Sequence, residues 1–199
     1  MKIKLIIFDL SNVCFNAEEP IFIDDFCEKY DLDKEKFESE YLALIERSEI
    51  GEISGKELWR QLLGKYEVEG DPEKIIEDMM KEKFAYEDTL NIVQALKRSG
   101  CKVVYLTNYN EDYWSEVARK WDLSEYFLDG IVSYQIKARK PSKEGFMKLV
   151  DRFGAKSKET LFIDDSRGNI EKAGDLGINT YHFDNAENLK SFLIENKLL

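Results

Sequence analysis

The chain has 199 residues, 43 % of them hydrophobic, enough for one sizeable core or a core plus a small accessory domain. That share excludes a disordered polymer, and no apolar run is long enough to span a bilayer, so no membrane partner is expected. A formal charge of −11 without a basic stripe argues against nucleic acid, and it suits a small anionic substrate only where local cations and a metal invert the field.

The first apolar run, Ile3 to Phe8, reads as a strand ending in Asp9 and not as a signal peptide. Cys14, Cys27 and Cys101 have no zinc-like spacing and are odd in number, the pattern of reduced thiols, so a cytoplasmic location is expected. Cys14 reads as packing, because nothing basic flanks it.

After Asp9 the pattern turns helical. Phe22, Phe26 and Tyr30 fall at helical spacing, as do Phe37, Tyr41, Leu44 and Ile45 behind Asp33, a predicted N-cap. Ser54 with Glu57 predicts a capping box ahead of Leu58, Leu62 and Leu63. Asp71-Pro72 predicts another helix start, with Ile75, Ile76, Met79 and Met80 behind it. No convincing strand interrupts this stretch, so residues 16 to 84 are expected to form a small helical domain.

From about residue 87 helices and strands alternate. Strands are predicted at Lys102 to Thr107, Ile131 to Ser133, the run ending at Asp164, and Ile178 to Phe183. Helices are predicted around Leu90 to Leu96, Tyr113 to Trp121, Phe146 to Phe153, Asn169 to Leu176 and residues 186 to 195. Repeated strand–helix alternation implies a parallel sheet covered on both faces, an α/β doubly wound core over 1–15 and 85–199.

Open α/β sheets hold ligands at the carboxyl ends of their strands. Asp9, Thr107-Asn108 and Asp164-Asp165 all stand at such ends, and Lys140-Pro141 adds a lysine just before a helix. Carboxylates, a hydroxyl, an amide and a cation in one crevice suit a phosphoryl group handled with a divalent metal. Adjacent carboxylates such as Asp164 and Asp165 repel unless a cation is near.

These motifs, in this order, resemble the haloacid dehalogenase superfamily, a Rossmann-like group made mostly of phosphatases. The motifs are Ile6 to Val13, Leu106-Thr107-Asn108, Lys140-Pro141 and Phe162 to Ile170, and the resemblance covers the whole chain. Within the superfamily the chain is most similar to the sugar-phosphatase branch that includes bacterial glucose-1-phosphatase. The resemblance implies that residues 16–84 are a cap, with linkers near 14–20 and 82–88 acting as hinges.

It also implies that Asp9 is a nucleophile forming an aspartyl-phosphate, and that Mg²⁺ is held by Asp9, the Ser11 backbone carbonyl, Asp165 and Asp164. Thr107 and Asn108 would bind phosphoryl oxygens, and Lys140 would neutralise charge on Asp9 and the phosphate. Asn169 stands where many relatives carry another acid and is a candidate to orient a metal-bound water. The expected partner is a small phosphorylated metabolite, in particular a sugar phosphate.

One departure matters. Family phosphatases carry a second Asp two residues after the nucleophile as acid/base, and here that residue is Ser11. Serine has no accessible pKa near neutrality, so a metal-bound water, a substrate hydroxyl or a cap residue has to serve. Substrates with acidic leaving oxygens, such as sugar-1-phosphates and aryl phosphates, would suffer least.

Two alternatives follow. One is a metal-independent haloacid dehalogenase-type hydrolase, although such enzymes usually carry an aromatic at the position of Ser11 and lack an acidic pair like Asp164-Asp165. The other is a catalytically decayed phosphate-binding module. A receiver domain is set aside, because its acidic pair comes near the start and it has no helical insert. His182 reads as structural, Arg167 as a solvated loop residue, and Phe22, Phe26 and Tyr41 as helix packing. Lys137 reads equally well toward the cleft or away from it, and Asn16 is a candidate contact to the leaving group.

Overall fold

The computed structural model describes residues 2–17 and 19–199. Residue 1 of the expected core segment and residue 18 of the expected hinge lie outside the described residues. Strand β1 (Leu5–Phe8) leads into four helices, α1 (Glu19–Lys29), α2 (Lys34–Glu49), α3 (Gly55–Lys65) and α4 (Pro72–Lys81). Then come α5 (Glu87–Arg98), β2 (Lys102–Thr107), α6 (Glu111–Lys120), β3 (Gly130–Val132) and α7 (Ser133–Ile136). The chain finishes with α8 (Lys143–Arg152), β4 (Thr160–Asp164), α9 (Arg167–Asp175), β5 (Asn179–His182) and α10 (Ala186–Glu195).

The five strands form one parallel sheet in the order β3-β2-β1-β4-β5. β1 is central, so helices cover both of its faces and all four of its residues are buried. Alternate residues feed two cores. Leu5, Ile7, Val104, Leu106 and Phe162 meet Phe146 and Leu149 of α8 on one face. Ile6, Phe8, Val103, Leu161 and Ile163 face the other way, in a core that runs on into the helical insertion through Phe26, Phe37, Trp59 and Met79. Helix α8 lies so close to the sheet that a Cβ on Gly145 would stand 2.7 Å from Leu106.

Among the described residues the insertion holds only the helices α1 to α4 and their connecting turns. Its interior is aromatic: Phe26, Phe37 and Tyr41 ring Trp59 at centroid distances of 5.4, 6.3 and 5.8 Å. Asp33 and Asp71 cap α2 and α4 through their side chains, as their sequence context predicts. Ser54 caps α3, but Glu57 turns its carboxylate to Arg60 and Gln61, so half of the predicted box forms.

Two boundaries differ from expectation. β3 ends at Val132, and Ser133 opens α7, because β3 pairs only with β2 and only over three residues. β5 is one residue shorter at each end than the predicted 178–183. Among the described residues no helix is long and apolar enough to cross a membrane.

Candidate active site

The register of the sheet brings the distant motifs together. Phe8 pairs with Tyr105 on one side and Ile163 on the other, which sets Asp9 level with Leu106 and Asp164. β2 and β4 flank β1 and their chains run on to opposite sides of it, so the crevice opens at the carboxyl ends of these three strands. Carboxylate oxygens of Asp9, Asp164 and Asp165 all lie within 4.8 Å of one another.

One cation serves this group directly. The Lys140 Nζ is 2.6 Å from Asp9 and 2.7 Å from Asp164, and all three side chains are buried. Burial pulls the lysine's pKa down, but the two carboxylates outweigh it and hold the ammonium above its ordinary value. Burial pushes Asp9 upward; Lys140 opposes this, while Asp164 and Asp165 add to it. Three acids against one ammonium is a local excess of negative charge, the condition in which a divalent ion is held.

The carboxylates are not equivalent. Asp164 accepts from Ser166 N at 2.8 Å and from Asn169 Nδ2 at 3.0 and 3.1 Å besides Lys140. Asn169 thus orients Asp164. Asp165 is only part-buried and accepts from Asn12 Nδ2 at 3.1 Å, which leaves it more lone pairs to offer a metal. His182 meets the Asp165 carbonyl at 2.9 Å and so holds the backbone of the acidic pair.

Around Asp9, Leu10 N donates to Asp9 Oδ1 at 2.6 Å, and Asn12 takes the left-handed conformation at φ 57. Amides of Val13, Cys14 and Phe15 all converge on the Leu10 carbonyl, which closes the turn. Burial drives the Cys14 thiol well up, with Asp9 adding to the effect, so it stays an unreactive packing group. The Thr107 hydroxyl is buried without a hydrogen-bond partner, a donor ready for an incoming oxygen. The Asn108 side chain clamps the Lys140 backbone, accepting from its N–H at 2.8 Å and donating to its carbonyl at 3.3 Å.

The sequence did not single out Tyr109, Glu49 or Arg139. The Ser11 hydroxyl lies 2.8 Å from that of Tyr109. Arg139, beside Lys140, pairs with Glu49 and Glu46 at the end of α2. Tyr109 directly follows the Thr107-Asn108 motif, which could have pointed to it. Glu49 is one glutamate among many on amphipathic helices and carries no such signal.

Other candidates lie elsewhere. Asn16 donates to the Glu82 carbonyl and accepts from Phe84 N at 2.7 Å, so its side chain joins the two linkers. Lys137 ends α7 exposed, and Arg167 opens α9 exposed. Phe22, Phe26 and Tyr41 pack in the insertion's aromatic cluster.

Comparison with known proteins agrees with this geometry. A family model described as haloacid dehalogenase-like hydrolase matches residues 3–177. A HAD family enzyme from Bacteroides thetaiotaomicron, whose crystal structure is a complex with magnesium and inorganic phosphate, is similar at TM-score 0.78 and 25 % identity, over 92 % of this chain and 94 % of that one. Flavin mononucleotide hydrolase 1 of Arabidopsis thaliana is 26 % identical over 57 % of this chain and 46 % of its own length. (S)-2-haloacid dehalogenase 1 of a Pseudomonas species is 29 % identical over 52 % of this chain and 45 % of its own. The chain thus spans under half the length of these curated relatives.

Proposed function

Because the chain belongs to the haloacid dehalogenase-like hydrolases, we propose that it is a Mg²⁺-dependent phosphatase acting on a small phosphorylated metabolite, a sugar phosphate in particular. The observation that carries this reading is the convergence of Asp9, Asp164 and Asp165 within 4.8 Å beside the buried Lys140. Hard carboxylate oxygens, few in number, which the Ser11 carbonyl would join, fit magnesium, which keeps several waters and takes a substrate oxygen. Bound there, the ion would offset negative charge on the acids and on the phosphoryl group.

The chain's own residues supply the rest of the chemistry. Asp9 attacks phosphorus, the bond to the leaving oxygen breaks, and an aspartyl-phosphate forms that water then hydrolyses. Lys140 favours the ionised form of Asp9 against the effect of burial and draws the phosphoryl oxygens in. Thr107 and the backbone N–H of Asn108 donate to those oxygens, and the Asn108 side chain holds Lys140 in place. Residues 16–84 act as a cap on the hinges at 14–20 and 82–88, and its closure keeps bulk water from the transfer.

A metal-independent dehalogenase is the second reading, supported by the likeness to the Pseudomonas enzyme. The experiment that separates the two is phosphate release with Mg²⁺ from an aryl phosphate, a hexose-1-phosphate and a hexose-6-phosphate, each repeated with chelator. Chelator-sensitive release, fastest from the first two, is expected. Halide release from a 2-haloacid, unaffected by chelator and without phosphate release, would overturn the phosphatase.

A further inference from the structure

We propose that Glu49, carried by the helical insertion, is the proton donor to the leaving oxygen, standing in for the acid that Ser11 cannot provide. The inference rests on the phosphatase reading above and assigns to it a residue from outside its motifs.

Glu49 is the last residue of α2. Its neighbour Ser48 accepts from Asn110 Nδ2 at 3.2 Å, three residues beyond Thr107. Its own Oε2 lies 2.8 Å from Arg139 Nε, next in sequence to Lys140. The end of α2 is therefore held between the loop after Thr107 and the loop before Lys140, and the Lys140 ammonium acts on the Glu49 carboxyl. Arg139 Nε and Glu49 Oε2 thus form an ion pair, and it lowers the carboxyl's pKa against the effect of burial. The side chain keeps 12 % of its surface exposed, so the carboxyl can meet a substrate hydroxyl or leaving oxygen while its Oε2 rests against Arg139.

Its protonation suits the task. Burial raises Glu49 to about 7, Arg139 and Lys140 oppose the rise, and Glu19 from α1 adds to it. Tyr41, from Glu49's own helix, also feels this carboxylate and hydrogen-bonds Tyr113 of α6. A carboxyl that is about half protonated near neutrality both gives and takes a proton efficiently. As Asp9 bonds to phosphorus and the leaving oxygen departs, Glu49 gives that oxygen its proton and becomes a carboxylate. It regains the proton from the water that attacks the aspartyl-phosphate, and Asp9 leaves as a free carboxylate. Atoms and charge balance across the two steps, and water is the only other reactant.

The test compares the native chain with Glu49→Gln, Glu49→Asp and Glu46→Gln on an aryl phosphate and a hexose-6-phosphate, in Mg²⁺ across pH 5 to 9. Glu49→Gln is expected to lose about 100-fold in kcat on the hexose-6-phosphate while aryl turnover stays within about threefold. The fall of hexose-6-phosphate turnover above about pH 7 should vanish in it. Adding Ser11→Asp to Glu49→Gln should restore the hexose-6-phosphate rate, and Glu46→Gln, which removes only Arg139's exposed partner, should match the native chain. Equal losses on both substrates, or none on the hexose-6-phosphate, would overturn the proposal. If Glu49→Gln fails to fold, the same leaving-group split read in Glu49→Asp decides. Absence of aryl phosphate turnover in the native chain would overturn the phosphatase reading instead, and this proposal with it.

Discussion

The hydroxyl of Ser11 lies 2.8 Å from the hydroxyl of Tyr109. Tyr109 is itself fixed, since its N–H donates to Ser133 Oγ at 3.1 Å and its carbonyl accepts from the same hydroxyl at 3.2 Å. A carboxylate at position 11 would thus find a positioned donor beside it. In a Glu49→Gln background, Ser11→Asp is expected to raise kcat/KM for a hexose-6-phosphate at least about tenfold and to change an aryl phosphate by less than about threefold. Steady-state kinetics on both substrates checks this, and an unchanged hexose-6-phosphate rate would count against the account of Ser11.

Lys140 keeps two buried carboxylates apart electrically. Lys140→Met leaves Asp9 and Asp164 facing each other without a cation, at a cost of about 3–5 kcal/mol. Lys140 is what lowers the pKa of Asp9, so without it that carboxyl favours protonation in the folded state more strongly and the variant gains stability relative to the native chain as pH falls. Denaturant unfolding should show a larger deficit against the native chain at pH 8 than at pH 5. Aryl phosphate turnover should fall at least about 100-fold.

Asn16 binds the Glu82 carbonyl and the Phe84 N–H, and the Lys83 ammonium reaches the Asn16 carbonyl at 2.8 Å. Tyr86 N also donates to the Cys14 carbonyl at 2.8 Å, so the two linkers are laced together. Asn16→Ala should cost about 1–3 kcal/mol in global unfolding, because a part-buried amide and a carbonyl lose their partner. A hinge role predicts that kcat and KM change together and by the same factor for aryl and sugar phosphates. A selective loss on the poor leaving group would return Asn16 to the leaving-group contact that its place in the sequence suggests.

Glu49 makes stability depend on pH in a definite sense. Burial sets it near 7 against an ordinary 4.5, so between these values the folded chain keeps a proton that the unfolded chain has released. Its contribution therefore falls as pH rises from about 4.5 to about 7 and is flat above. Glu49→Gln should match the native stability near pH 4.5 and exceed it by roughly 1–3 kcal/mol at pH 8. Chemical unfolding at the two pH values measures the difference. A stabilised but impaired variant is the usual signature of a functional group held at a cost to stability.

Much of this was legible along the chain because it is local. The continuous apolar run of β1 reads as a strand covered on both faces, and Asp33 and Asp71 cap their helices through side chains two or three residues from the amides they serve. The end of β3 was less legible, since Ile131, Val132 and Ser133 suit a strand equally and only pairing with β2 marks where it stops.

Local pattern along the chain specifies the alternating α/β order, the helical insertion behind Asp9, and the acids, hydroxyl and lysine at the strand ends. Periodicity, caps and strand-end position are set by neighbours a few residues away. Packing of distant segments is what makes Asn169 orient Asp164, Asn108 clamp Lys140, and Glu49 meet Arg139 from across the molecule. Those relationships depend on sheet register and on how the insertion docks. A glutamate on an amphipathic helix looks solvated until another part of the chain removes the water around it.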